Sequence, residues 1–430
     1  MRILYCNKYN FAFSGTETYL FSVVEMMRKR GHDTALFSMA DARGDPTPYD
    51  QYFVAHRDFQ HAKGVLTRAH LAAHAVYSFE ARRKLRELIK EFRPDIAHVR
   101  NIYHHLSPSI FWELKAQGVP VVYHLNDFKL LCPSYNMVSR GQPCERCEGG
   151  SFANSVLEGC YSGGRTKSVV LALEAYIHRW LGTYDKCVDL FLAPSEFVKN
   201  KLIEHGWSED RIAVLSHFQE VSANPQPPGS TGTVLYFGRL SAEKGVEDLL
   251  QASADIPYLN IVIAGDGPHR TELENFVSRL SLQNVTFTGH LAGAELQDLI
   301  AQSQFTVFPS HAYETFGKSI LESYAQARPV IASDLGSRRD LVRTGETGIL
   351  YRAGDSVQLA AAMKYLSARP EFLREMGKNA FRLVRTRYSP EHHCEALIGI
   401  YESLAHNILH GIRLNSITHP LRVAFIGGRG

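Results

Sequence analysis

Short apolar runs alternate with stretches of helical periodicity twice along this chain, and a segment almost free of apolar residues separates the two series. Few folds accommodate that pattern. It predicts α/β architecture, with parallel strands covered by crossover helices and wound into two sheets. In the first series strands are expected at residues 2–7, 34–38, 96–99, 119–124 and 190–194, and Ser78 is placed to cap a helix whose Leu85, Leu88, Ile89 and Phe92 share one face. Residues 219–232 hold Pro225, Pro227, Pro228, Gly229 and Gly232, the composition of an interdomain linker. The second series places strands at residues 234–237, 261–264, 285–288, 305–308 and 330–332. At 430 residues the chain exceeds what one core usually supports, so two domains are expected, 1–218 and 233–388.

Composition narrows the function. Lys and Arg number 47 against 44 Asp and Glu, a net charge of +3, too balanced for a protein that coats nucleic acid, so no nucleic-acid partner is expected. Met1-Arg2-Ile3-Leu4-Tyr5-Cys6-Asn7 reads as a strand and lacks the parts of a secretory signal. No run approaches the ~20 apolar residues of a membrane span. Seven cysteines, an odd number, suit thiols or metal ligands better than a disulfide framework, and a cytoplasmic location is expected.

In doubly wound sheets ligands sit beyond the carboxyl ends of strands, and three such loops stand out. After the first strand, Phe13-Ser14-Gly15-Thr16-Glu17 opens a helix, where Gly15 either lets a substrate approach the N–H groups or simply makes a turn. Gly238-Arg239-Leu240-Ser241-Ala242-Glu243-Lys244-Gly245 carries two cations suited to a diphosphate, or else a solvated basic loop. The third loop runs from Pro309 to Ser319. Glu314 precedes a helix and Glu322 lies about one and a half turns inside it, so both carboxylates can grip sugar hydroxyls from one crevice. Gly317, Lys318 and Ser319 expose first-turn N–H groups to a phosphate.

Glu314 and Glu322 within Tyr-Glu-Thr-Phe-Gly, downstream of Gly238-Arg239-Leu240, Lys244-Gly245 and Ala264-Gly265-Asp266-Gly267-Pro268, resemble the family 4 retaining glycosyltransferases of GT-B fold. The Gly15 loop, Arg30-Gly31-His32 and the stretch from Pro94 to Val99 add to the resemblance, which runs from residue 1 to about residue 408. It implies two Rossmann-like domains facing across a cleft, with a helix at 389–408 returning to the first domain through Leu397, Ile400, Tyr401 and Leu404. Arg239 and Lys244 would hold the donor diphosphate, Glu314 the transferred sugar and Glu322 the ribose. Gly15, Gly238, Gly265 and backbone groups from Phe316 through Gly317 and Lys318 to Ser319 would line the donor. The implied substrates are a nucleotide sugar and a glycan or lipid-linked acceptor. Retention is implied through front-face displacement, in which the departing phosphate helps deprotonate the acceptor. No Asp-x-Asp occurs in the chain, and no catalytic metal is expected.

One stretch departs from the family pattern. Relatives often carry His immediately before Asp in the first-domain loop, whereas here His124-Leu125-Asn126-Asp127 puts Asn126 in that place; Asp127 aligned with the family aspartate would be catalytic, and His124, two residues before Asn126, is either a site residue or an ordinary core histidine. Cys132, Cys144, Cys147 and Cys160 lie within 29 residues, and structural zinc, free thiols and a disulfide remain open for them; a similar cysteine-bearing insertion marks a subgroup of the family. Lys63, Arg68, Arg82, Arg83, Lys84, Arg86, Lys90 and Arg93, with Tyr77, Phe79, His61, His70 and His74, form either a solvated helix face or a peripheral contact with the inner face of a membrane. Beyond the last helix, residues 421–430 resemble the first strand and glycine loop of another such domain, which suggests the front part of a longer or split polypeptide. Two other functions fit fewer residues: a dinucleotide-dependent oxidoreductase or epimerase using Gly265-Asp266-Gly267, and a non-catalytic scaffold with a zinc loop.

Overall fold

The computed structural model describes residues 1–59, 64–161, 164–223, 225–228 and 232–409, and in it each apolar series forms a six-stranded sheet. The first comprises β1 Arg2–Cys6, β2 Asp33–Phe37, β3 Ile96–Val99, β4 Val121–His124, β7 Leu190–Ala193 and β8 Ile212–Val214. Between β4 and β7 an insertion carries a small antiparallel hairpin, β5 Val138–Ser139 and β6 Gln142–Pro143. The second sheet comprises β9 Thr233–Phe237, β10 Asn260–Ala264, β11 Val285–Gly289, β12 Phe305–Phe308, β13 Val330–Ser333 and β14 Gly348–Tyr351. Every residue of β3, β4, β7, β12 and β13 is buried, as parallel sheets with helices on both faces require.

All pairings in the two sheets are parallel, in the orders β2-β1-β3-β4-β7-β8 and β11-β10-β9-β12-β13-β14. The order reverses between β1 and β3 in one sheet and between β9 and β12 in the other. Crevices open at those two points. Strands β8 and β14 escape sequence detection because three or four residues, one of them Gly348, give no usable periodicity. The strand expected at 119 begins instead at Val121, since Pro120 has no N–H for a central ladder.

Helix Pro390–Leu409 packs Cys394, Leu397, Ile400, Tyr401 and Leu404 into one cluster with Ile3, Tyr5 and Tyr19 of the first domain. The Gln219 N–H donates to the Tyr388 carbonyl at 2.8 Å, and the Arg328 guanidinium donates to the Gln226 carbonyl at 2.8 Å, tying the connecting segment to the second domain. Residues 410–430, and with them the glycine-loop resemblance at 421–430, lie outside the described residues, as do His61 and Lys63.

Candidate active site

The β9 and β12 loops form one unit. Lys244 ends a short 3-10 turn, Ala242–Lys244, after β9, and its Nζ meets Glu314 Oε1 at 2.8 Å. Gly245 follows at φ +64°, where an added Cβ would stand 2.2 Å from the Pro309 carbonyl, so only glycine lets the two loops approach this closely. The Glu243 carbonyl accepts from His311 N at 2.8 Å and Ser310 Oγ at 3.1 Å, and His311 Nε2 meets Asp248 Oδ2 at 2.6 Å. The Asp248 hydrogen bond raises the His311 pKa.

Behind Glu314 stands Arg338, which the sequence reading missed. Its side chain is fully buried; it donates to the carbonyls of Ser333 at 3.0 Å, Ser310 at 3.1 Å and Ala312 at 3.0 Å. Its NH1 lies 3.6 Å from Glu314 Oε1 and has no hydrogen-bond partner. Ser337 Oγ joins the Glu314 and Phe316 carbonyls, at 2.7 Å each. Burial alone would raise the Glu314 carboxyl, but Lys244 and Arg338 overcome it and hold it at about 2. Glu314 is therefore charged at every physiological pH. Arg239 is exposed at the mouth of this loop, its carbonyl held by Tyr236 OH at 2.9 Å.

Helix Lys318–Ala325 begins at Gly317 and carries Glu322 half-buried on its second turn. Burial raises the Glu322 carboxyl against the pull of Lys318. Lys318 and Ser319 occupy the first turn, where N–H groups have no intrahelical acceptor. The Phe316 ring, by contrast, is buried and packs 5.1 Å from the His217 ring, so only its backbone is available to a ligand.

Across the cleft the first domain meets this loop directly. Thr315 Oγ1 donates to the Asn126 carbonyl at 3.3 Å, Ser195 Oγ to the Thr315 carbonyl at 2.7 Å, and Tyr313 OH to Glu145 Oε1 at 2.7 Å. Glu145 belongs to the cysteine insertion and also pairs with Lys201 at 2.9 Å. Asp127 adjoins Asn126. Burial pushes its carboxyl up to about 6, although the Lys129 N–H at 2.9 Å, Lys129, Lys8 and Arg100 all favour its charged form. His124 lies on β4, fully buried, with Nδ1 3.3 Å from Arg100 NH1 and burial holding its pKa well down. Gly15 opens helix Gly15–Lys29 with nothing within 4 Å of where its Cβ would stand, while Ser14 caps the helix and donates to Glu17 at 2.6 Å.

Three other stretches singled out in the sequence take defined positions. The Gly265-Asp266-Gly267 turn packs tightly on the β9 loop: a Cβ on Gly265 would stand 1.9 Å from the Gly238 carbonyl and one on Gly267 2.1 Å from the Leu240 carbonyl. Cys132, Cys144, Cys147 and Cys160 form no disulfide in the structure. Among the described residues no three His, Cys, Asp or Glu side chains are arranged to hold a metal ion. Cys132 hydrogen-bonds Cys147 and Ser134, which lowers its pKa, and backbone bonds such as Cys144 N to Met137 O at 2.7 Å order the loop. In the basic stretch, Arg82 and Arg86 converge on buried Glu113 at 2.9 and 2.7 Å, and Lys84 donates to the Phe53 carbonyl. Much of that cluster is internally paired.

Residues 13–218 match the family model described as Glycosyltransferase Family 4, and residues 218–383 match the one described as Glycosyl transferases group 1. The chain belongs to the family 4 glycosyltransferases. An alpha-D-kanosaminyltransferase of Streptomyces kanamyceticus is 35% identical to this family 4 chain over 176 residues, 40% of the chain and 45% of that protein. The D-rhamnosyltransferase WbpZ of Pseudomonas aeruginosa is 34% identical over 34% of the chain and 39% of its own length. The chain thus spans less than half the length of these two curated relatives. A GDP-mannose-dependent alpha-mannosyltransferase of Mycolicibacterium smegmatis is 28% identical over 91% of the chain and 94% of its length. Among solved structures, Anabaena HepE in complex with UDP superposes with a TM-score of 0.66 at 20% identity, over 94% of the chain and 100% of HepE. Sucrose-phosphate synthase from Thermosynechococcus elongatus gives 0.67 at 19% identity over 94% of the chain and 99% of that protein. These likenesses show the two-domain GT-B fold.

Proposed function

We propose that the protein transfers a sugar from a nucleotide-sugar donor to a glycan or lipid-linked acceptor with retention of anomeric configuration. The observation that carries this is the Lys244–Glu314–Arg338 arrangement at the β9/β12 crevice, linked through Thr315 to the Asn126 carbonyl beside Asp127. Arg239 and Lys244 face the diphosphate as cations, and the N–H groups of Lys318 and Ser319 add a helix N-terminus. Charged Glu314 accepts hydrogen bonds from hydroxyls of the transferred sugar, and Glu322 accepts from the ribose. As the bond from anomeric carbon to phosphate oxygen breaks, the acceptor oxygen bonds to that carbon on the same face. The acceptor's proton passes to the departing phosphate oxygen. The protein supplies position and electrostatic stabilisation. The acceptor lies on the first domain near Asp127, on the cytoplasmic side.

The names of the relatives support this reading, as does the UDP bound in HepE. A melting-temperature screen with UDP, GDP, ADP and their sugars tests it. One nucleotide is expected to raise the Tm by several degrees, and its sugar to be consumed when an acceptor is supplied. If no nucleotide stabilises the protein and no nucleotide sugar is consumed, the reading fails.

Asp127 gives a pH prediction. Its folded pKa of about 6 lies above the ordinary 3.8, so the fold favours the protonated form, and that stabilisation is lost as pH rises through about 6. With ionised Asp127 as the acceptor's partner, kcat/KM is expected to rise through pH ~6 and level off above it. Asp127→Asn is expected to lose that limb and at least about tenfold in kcat/KM at pH 7.5. An unchanged pH profile in the variant would remove Asp127 from the site.

A further inference from the structure

Both chain neighbours of Glu314 are held by the first domain. On one side Tyr313 OH donates to Glu145 Oε1 at 2.7 Å. On the other, the Thr315 carbonyl accepts from Ser195 Oγ at 2.7 Å, and Thr315 Oγ1 donates to the Asn126 carbonyl at 3.3 Å. The short helix Arg338–Leu341, which carries the arginine behind Glu314, is gripped as well. Its Asp340 Oδ2 accepts from Phe197 N at 3.0 Å, in the first turn of helix Glu196–Glu204. The cations that face the Glu314 carboxylate, Lys244 and Arg338, belong to the second domain. Its charge is thus set within the second domain, while the backbone around it is fixed from across the cleft.

Glu145 comes from the cysteine insertion, and the insertion is built to present it. It stands in Cys144-Glu145-Arg146-Cys147, directly after the hairpin. Cys144 N donates to the Met137 carbonyl at 2.7 Å, and Glu148 N donates to the Glu145 carbonyl at 2.9 Å. Cys147 packs with Phe152 and Ala172, and Arg146 pairs with Glu158. Glu145 therefore leaves the loop at a point fixed on both sides. Lys201 bonds the same carboxylate at 2.9 Å and lies 5.8 Å from the centre of the Tyr313 ring, and the Phe197 ring packs 4.9 Å from that ring. A charge-assisted hydrogen bond with an aromatic ring packed beside it is stronger than a solvated surface pair.

We propose that the cysteine insertion is a positioning element for the transfer reaction: Glu145, through Tyr313, fixes the backbone on which Glu314 stands. The proposal rests on the reading that Glu314 meets the transferred sugar. A displacement of about 1 Å at a reacting group can cost on the order of 100-fold in rate. Arg239, Lys244 and the helix N-terminus at Lys318 all stay on the second domain, so loss of the contact acts on turnover rather than on donor affinity. Glu145→Ala and Tyr313→Phe are each expected to lower kcat about tenfold, with the donor KM and the nucleotide-induced Tm shift within about twofold of the wild type. The double variant is expected to match either single one, because both remove the same bond. Glu145→Gln is expected to keep kcat within about threefold, since its amide carbonyl still accepts from the tyrosine hydroxyl. Amide hydrogen exchange reads the contact without substrate. Glu145→Ala is expected to speed exchange over residues 313–317 about fivefold, and Tyr313→Phe over residues 144–148. Unchanged exchange in both variants, unchanged kcat in both, or losses that multiply in the double variant would overturn the proposal and leave the transferase reading intact. A wild type that consumes no donor fails the transferase reading instead, and faster exchange in the variants would then still support the contact.

Discussion

Replacing Glu314 by alanine is expected to lower kcat/KM for transfer on the order of 1,000-fold, because in the proposed mechanism its charge lies at the reacting sugar and cannot be restored by water or a neighbouring side chain. Glu314→Gln keeps the shape and loses the charge, and an effect on the order of 100-fold is expected. With the carboxyl held at about 2 by Lys244 and Arg338, the ratio of wild-type to variant rates is expected to stay flat from pH 5 to 9. That separates Glu314 from Asp127, whose limb falls near pH 6. Donor-induced thermal shifts report whether the glutamine variant still folds and binds. Wild-type turnover in either variant would take Glu314 out of the mechanism.

The second large effect concerns Arg338. It has no exposed side-chain surface, and it bonds three carbonyls of the β12 and β13 loops while facing Glu314 at 3.6 Å. Arg338→Met strips those carbonyls of donors in a buried place, at a cost of about 3–5 kcal/mol. For domains of this size that corresponds to a Tm drop of roughly 10 °C. Transfer is expected to fall as well, since the Glu314 carboxyl loses one of the two cations that keep it ionised. Arg338→Lys is not expected to rescue either property, because an ammonium cannot span three acceptors that a planar fork reaches. Tm and kcat/KM of both variants check this, and a methionine variant as stable and active as the wild type would refute it.

These residues differ in how legible they are. Glu314 and Lys244 stand in loops whose chemistry is local: glycines that allow close approach, and charges beside them. Arg338 is one of two adjacent arginines beyond β13, with no pattern to mark it. It matters because β13 lies beside β12, a neighbour relation that no residue spacing states. Glu113 looks like an ordinary helix acid until folding carries Arg82 and Arg86 to it from another helix. Phe316 reads as part of the donor loop, yet its ring fills the seam with His217. On helix Arg165–Leu181, Leu171, Glu174 and His178 share a face at helical spacing as Val169, Leu173 and Trp180 do, and only the packed neighbours make the first face the inner one.

The amino-acid sequence alone determined the fold class, the two sheets, most of the strands and the loops that carry Arg239, Lys244 and Glu314. Periodicity, turn glycines and caps act over a few residues, so they survive in a linear text. The tertiary structure decided which charges are partnered, which aromatic rings are fillers, how the cysteine loop is ordered and which helical face remains bare. Those outcomes depend on burial and on contacts between residues far apart in the chain, and both exist only once the sheets have assembled and met across the cleft.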